Sequence, residues 1–321
     1  MSAVVALDPR LGTVLPSAAV ALLRTADEVY VTGDLPEELG TPAPAPDELV
    51  RAAAAGPVVL ITTDPADPAA RALLDAGAEL IRTEAPAGTE LLAAVAVMDR
   101  LRSPDGCPWD AEQTHDSLRE YLIEETYELL EAMEDGDRVA LREELGDVLL
   151  QVLFHARIAQ EDAADPFGVD DAAADLVRKL VGRHPHVFSG GDPAVRDAAT
   201  QTVRWDELKQ AEKKRESSVD GVALNAPSLF LVGKLLSRTG KKGLPADLWP
   251  SAEGTEDPAR ALFALAASVA ATGVQPEVAL RDVARDFARD VRAAEQAAKV
   301  AGLDPAELDA AAWRKFWPER R

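Results

Sequence analysis

The rhythm of hydrophobic and polar positions changes near residue 90. Before it, short β-type runs such as VVALD from Val4 and PVVLITTD from Pro57 alternate with Ala-rich stretches, AAVALLRTADEVYVTG from Ala18 and ARALLDAGAELIRT from Ala70. That alternation predicts a small α/β domain with a few parallel strands over residues 1–89. Its one interruption, Thr41-Pro42-Ala43-Pro44-Ala45-Pro46, reads as a polyproline-like connector. No GxGxxG or GxxxxGK[ST] follows any of these strands, so a nucleotide loop has no support there. Beyond residue 90 the period is helical. Helices are expected near 90–102, 117–134, 138–161, 169–183 and 199–215. A breaker-rich stretch with Gly240, Gly243, Pro245, Pro250 and Gly254 follows, and helices resume near 258–273, 276–301 and 305–316.

Two adjacent helices hold an unusual density of carboxylates. On the helix at 117–134, Leu118, Leu122, Leu129, Leu130 and Met133 fall on one side, Glu124, Glu128 and Glu131 on the other, and Glu125 at the edge. Taken alone, this is an amphipathic helix with a solvated face. From Leu145 to Ala159 the next helix carries Val148, Leu149, Leu150, Val152, Leu153, Phe154 and Ile158, which cover nearly every direction and predict burial on all sides. One narrow polar stripe runs along it: Glu144, Asp147, Gln151 and His155. Buried charges must be paired or must hold a metal. The connection Glu134-Asp135-Gly136-Asp137 is short enough to force an antiparallel pair, which can bring Glu125 and Glu128 opposite Glu144 and Asp147. Two like charges 4 Å apart repel by roughly 4 kcal/mol at an effective dielectric near 20. No Lys lies between Gln113 and Leu176, and Arg138 and Arg142 sit a turn or more from the acids. A hard divalent cation with oxygen ligands answers the pattern better than a solvated face.

Composition narrows the partners. The 321 residues are 47% hydrophobic and 28% charged, enough for a globular fold with two or three domains. A formal net charge of −22 argues against stable nucleic-acid binding, which needs many cations against phosphates. No apolar run approaches the roughly 20 residues of a membrane span, and MSAVVALDPR lacks the features of a signal peptide, so a cytoplasmic protein without membrane contact is expected. The single cysteine, Cys107, excludes an internal disulfide and a Cys-based zinc cage.

Glu125-x-x-Glu128, then Glu144-x-x-Asp147, preceded by GCPWD at Gly106–Asp110 and followed by RHPHVF at Arg183–Phe188, resembles the MazG family of all-α nucleoside triphosphate pyrophosphohydrolases. The resemblance covers roughly residues 90–215. It implies a mainly α, MazG-like helical bundle that dimerises or forms a higher homo-oligomer. It also implies Mg²⁺, with Mn²⁺ as a substitute, bound by Glu125, Glu128, Glu144 and Asp147, and cleavage of a nucleoside triphosphate to monophosphate and pyrophosphate in nucleotide-pool sanitising. Residues 90–218 would be the catalytic domain. VDDAAADLVRKLV from Val169 is echoed by LRDVARDFARDVR from Leu280, so residues 219–321 read as a degenerate second helical repeat without an ExxE, with Arg260 opposite Asp147 and Asp290 opposite Lys179. Residues 1–89 resemble the start of the tetrapyrrole-methylase-like domain fused to some relatives, are too short to form it whole, and receive no role.

Within that resemblance, Glu124 is the candidate general base beside the four metal carboxylates. Lys179 and Arg183, four apart on one helix face, are candidates to hold the outer phosphates, or else form an exposed basic edge. Trp109 and Trp205, with Lys209 one turn after the latter, are candidates to stack on the base, or else pack in the core. Two rival readings use the same residues. A di-iron carboxylate bundle needs two Glu-x-x-His pairs, and the chain offers only Glu112-x-x-His115. A non-catalytic helical assembly module would bind metal or nucleotide without turnover.

Overall fold

The computed structural model describes residues 1–191, 195, 197–213, 216–251, 253–254 and 256–319, with the side chains at 206 and 210–213 outside that description. The chain divides into two compact units, residues 1–182 and 183–321.

The first unit opens with five strands: β1 (Ala3–Ala6), β2 (Glu28–Val31), β3 (Thr41–Pro42), β4 (Val58–Thr62) and β5 (Glu79–Arg82). They form one parallel sheet in the order β3-β2-β4-β1-β5, with Val4 opposite Leu60 and Leu80. Helices α1 (Ser17–Thr25), α2 (Pro46–Ala55) and α3 (Pro68–Asp75) make the crossovers. The period of two sorts the sheet residues. Val4, Val58 and Leu60 pack with Leu49 and Leu73, while Val5, Val59 and Ile61 pack with Ala19 and Val31 on the other face. Burial of both faces explains why the strands read as continuous apolar runs. The expected proline connector is built differently: Thr41–Pro42 pair with Tyr30 and Val31 as an edge strand, and Pro46 opens α2 at its first turn. An edge tolerates proline because a donor missing from the outer side breaks no ladder bond.

Arg10, just after β1, binds Asp8 at 2.5 Å and also pairs with Glu90, tying the strand end to α4 (Thr89–Arg102). Next come the short α5 (Pro108–Glu112), then α6 (Arg119–Asp135), α7 (Arg138–Ala159) and α8 (Val169–Arg183). A hairpin joins α6 to α7. Gly136 ends α6 at φ +68, a left-handed conformation that suits glycine, and the Asp137 carboxylate caps α7 by accepting from the Val139 and Ala140 amides at 2.8 and 3.1 Å. Met98 of α4 and Leu153 and Phe154 of α7 share one core cluster with Leu118, the residue before α6.

Sequence periodicity predicts α7 as buried on all sides, and the single chain does not bury it so. Leu145, Leu150 and Val152 are 51%, 39% and 48% exposed. Leu145 and Val152, seven positions apart, share one face of α7, while Leu150 lies on another, so among the described residues the apolar girdle is left open on more than one side.

The second unit contains α9 (Pro185–Phe188), α10 (Ala198–Lys213), α11 (Ser228–Gly240), α12 (Pro258–Ala271), α13 (Pro276–Val300) and α14 (Ala310–Phe316). Its buried residues, Leu236, Ala266, Ala267, Ala294 and Ala298, are mostly small. Helix α11 is absent from the sequence expectation, because the glycines and prolines after it draw attention from the periodic run SLFLVGKLL. The terminal helix expected from 305 begins only at Ala310, after a 3-10 turn at Pro305–Glu307. Residues 214 and 215, at the end of the expected helix 199–215, lie outside the described residues. Among the described residues no single helix is long and apolar enough to cross a membrane.

Candidate metal centre

The α6–α7 hairpin places one carboxylate oxygen each from Glu125, Glu144 and Asp147 within 4.8 Å of one another, all half-buried. Glu125 comes from α6, while Glu144 and Asp147 share a face of α7 at a spacing of three. Among the described residues no Lys or Arg pairs with any of the three. Their own charges are therefore uncompensated. Burial and the charges of Asp147, Glu128, Glu144 and Glu124, in that order, push the Glu125 carboxyl above its ordinary range. Burial and the charges of Glu128, Asp147 and Glu143 do the same to Glu144. The Glu144 Oε2 atom is buried and has no hydrogen-bond partner.

Glu128 is exposed and outside the three-residue group, yet its charge acts on both Glu125 and Glu144. Glu124 is exposed, and its charge is the smallest contribution acting on Glu125. The donor set is all carboxylate oxygen, one of them buried without a hydrogen-bond partner, which fits a hard divalent cation and not a thiol-seeking or imidazole-seeking one.

The polar stripe continues along α7. Gln151 is 4% exposed, and its buried Oε1 has no partner. One turn further, His155 stacks on His115 with ring centroids 5.1 Å apart and Nδ1 atoms 2.8 Å apart, while its Nε2 is buried and unpartnered. Burial and the neighbouring His115 push the His155 imidazole down, toward its neutral form. Three of the four stripe residues thus carry a buried heteroatom awaiting a partner.

The GCPWD segment positions Trp109. A Cβ at Gly106 would lie 2.3, 2.6 and 2.7 Å from the carbonyl oxygens of Leu101, Arg100 and Ser103, so only glycine fits, and the Cys107 amide donates to the Leu101 carbonyl at 2.8 Å. Pro108 then starts α5. The Trp109 ring is 51% exposed and meets Tyr121 and Phe154 edge-on at 6.2 and 6.3 Å. Arg102 supports this segment from behind. Its side chain is 3% exposed, donates to both Glu161 oxygens at 3.1 and 2.8 Å, and also donates to the carbonyls of Asp110 and Gln113. Arg157 bridges Asp99 and Glu161, both at 2.8 Å. The sequence reading missed this network, since Arg102 and Glu161 stand 59 residues apart and follow no motif.

The remaining candidates are Lys179, Arg183, Trp205 and Lys209. Lys179 is exposed on α8. In the second unit, Arg183 is 4% exposed with its guanidinium 5.1 Å from the centre of the Trp205 ring, His184 meets the same ring at 5.0 Å, and Lys209 is half-buried one turn on.

Comparison with known proteins settles the family. Over 329 aligned residues, 98% of this chain and 94% of its counterpart, the sequence is 43% identical to a nucleoside triphosphate pyrophosphohydrolase of Mycobacterium tuberculosis. The chain belongs to the MazG family. The profile described as the MazG nucleotide pyrophosphohydrolase domain matches residues 113–188, which hold all four motif carboxylates and both members of the His115–His155 pair. A second profile, the MazG N-terminal domain, matches residues 2–81 and so places the small α/β sheet within the family as well. The enzyme of the same name from Mycolicibacterium smegmatis is 41% identical over 98% of this chain and 95% of its own. A Thermotoga maritima protein named nucleoside triphosphate pyrophosphohydrolase/pyrophosphatase MazG is 34% identical over 71% of this chain and 94% of its own.

Proposed function

We propose that the protein hydrolyses nucleoside triphosphates between the α and β phosphorus atoms, releasing nucleoside monophosphate and pyrophosphate, in keeping with relatives named nucleoside triphosphate pyrophosphohydrolase. The observation that carries this reading is the convergence of Glu125, Glu144 and Asp147 oxygens within 4.8 Å without a protein cation. These three, with Glu128, would hold Mg²⁺, which when bound supplies charge neutralisation for a triphosphate. The protein's own part is to preorganise the oxygens on a capped hairpin, so that little rearranges on binding. Glu124, exposed beside the cluster, is the proposed base for the attacking water. Trp109 offers an exposed aromatic face for the base, and Gln151 offers an acceptor along the stripe.

The uncovered arc on α7 marked by Leu145 and Val152, with exposed Ile123 and Met133 on α6, supports a homodimer in which a second copy covers it. Residues 1–89, 90–218 and 219–321 are proposed as N-terminal, catalytic and degenerate domains of a cytoplasmic enzyme. Sanitising of damaged or non-canonical nucleotides is the proposed role, with Lys179, Arg183, Trp205 and Lys209 as proposed substrate contacts. The test is to incubate the protein with Mg²⁺ and each common ribo- and deoxyribonucleoside triphosphate, beside Asp147→Ala. Monophosphate and pyrophosphate, lost in the variant, are expected. Diphosphate and phosphate, or an equally active variant, would overturn the assignment.

A further inference from the structure

The second unit holds a cavity of about 470 Å³ between α11, the end of α12 and the start of α13, within the size range of small-molecule sites. Its walls are tightly built. A Cβ on Gly233 would come within 2.8 Å of Pro276 Cδ, so glycine lets α11 close against the first turn of α13. Gln275 fixes the opposite rim, its Oε1 accepting from the Glu277 amide at 2.6 Å and its Nε2 donating to the Phe230 carbonyl at 3.2 Å.

The chemistry of the lining sets this cavity apart. Acids outnumber bases 56 to 34 in the chain, and two cavities of the first unit carry carboxylates in their linings: Asp99, Asp170 and Asp171 beside Arg157 in one, Glu112, Glu161, Asp162 and Asp165 beside Arg102 in the other. Among its described lining residues this one has none. The side chains it presents with uncommitted polarity can all donate: the Lys234 ammonium, the Ser237 hydroxyl and the Trp249 indole N–H. The Trp249 Nε1 is buried and has no acceptor. Among the described residues no carboxylate pairs with Lys234, and Arg238 follows it one helical turn later. The only acceptor side chain of similar reach, Gln275, is already spent on the helix cap. Phe230, Val274 and Pro276 supply an apolar floor.

We propose that this cavity binds a small organic anion with a flat apolar body, of the nucleoside monophosphate class, independently of metal. A donor-rich, carboxylate-free lining selects a ligand rich in acceptors, and the apolar floor selects an organic body over an inorganic ion. The site would let the non-catalytic half sense a product-like nucleotide. Its existence does not depend on catalysis at the acidic cluster.

The full-length chain in EDTA is titrated calorimetrically with AMP, adenosine and inorganic phosphate, since without metal the uncompensated acids of the first unit repel nucleotide. AMP should bind, with adenosine and phosphate each at least 10-fold weaker. Exposed Lys234→Glu should weaken AMP at least 10-fold while leaving the circular dichroism and unfolding midpoint unchanged, and Trp249→Phe should weaken it severalfold. Asp147→Ala should leave it unchanged. Absence of metal-free AMP binding, equal binding of adenosine, or binding that survives Lys234→Glu would overturn the proposal. Loss of binding in Asp147→Ala instead would place the nucleotide at the acidic cluster and overturn it equally. Triphosphate hydrolysis is measured separately, so failure here leaves the catalytic reading untouched.

Discussion

Asp147→Asn should make the metal-free protein more stable while removing its response to Mg²⁺. The Glu125 and Asp147 oxygens lie within 4.8 Å of each other. At that separation two full charges repel by about 3.5 kcal/mol at a dielectric near 20 and by about 0.9 kcal/mol in bulk water. Both groups are half-exposed, which places the effective value toward the lower end, at about 1 kcal/mol. Neutralising Asp147 should therefore raise the melting temperature in EDTA by about 2–4 °C. Metal reverses the order. At 100 times its dissociation constant, a ligand that binds only the folded state adds about 2.7 kcal/mol to the wild type, and the variant, lacking one charged ligand, should gain little. Thermal unfolding with EDTA and with Mg²⁺ reads both effects in one experiment. An Asp147→Asn protein that melts below wild type in EDTA, or that gains as much from Mg²⁺, would refute the reasoning, because the carboxylates would then be ordinary structural groups.

The other predictions concern charge, pH and the aromatic segment. In EDTA, stability should fall as pH rises past the ordinary carboxylate range. Glu125 and Glu144 have raised carboxyls, so the folded state binds more protons than the unfolded one in that window; Glu125→Gln should flatten the slope in a pH series of urea melts. His155 has the opposite sign: its lowered imidazole stabilises the fold above the ordinary histidine range and loses that contribution as pH falls, a decline that His155→Asn should reduce. Arg102→Met leaves Glu161 with Arg157 alone and frees two carbonyls, costing about 2–3 kcal/mol by chemical denaturation; a change below about 0.5 kcal/mol would mean that the network is incidental. Gly106→Ala drives a methyl into three carbonyl oxygens and should destabilise by more than about 2 kcal/mol, with a shift in Trp109 fluorescence.

How much of this was legible depends on whether an interaction repeats along the chain. The acidic hairpin was legible because a helix repeats every 3.6 residues: Glu144, Asp147, Gln151 and His155 fall on one line, and a short turn, Gly136 and Asp137 in the structure, fixes the antiparallel partner. The sheet was legible as short continuous apolar runs between helical stretches, and its interruption was not, because the sequence does not say which side of a strand will lack a neighbour. Proline 42 reads as a breaker until the edge position makes its missing donor harmless. Contacts made once leave no period at all. Arg102 and Glu161, or His115 and His155, are ordinary residues until α4, α5 and α7 are assembled, and only then does each acquire a partner.

The exposed face of α7 marked by Leu145 and Val152, seven positions apart, carries the same logic a step further. Periodicity reports what a helix must bury in its working state, and the single chain reports what it buries alone. On α7 the two disagree over this arc, which lies on the helix that carries two of the three converging carboxylates. Covering it with a second copy would hold Glu144 and Asp147 more rigidly against Glu125 without touching them. If that holds, Val152→Glu, which adds a charge to the uncovered arc and leaves every carboxylate in place, should yield a monomer by sedimentation with weakened Mg²⁺ stabilisation. A Val152→Glu protein that keeps the wild-type sedimentation and the wild-type Mg²⁺ response would separate the apolar arc from the site and leave its exposure without a function.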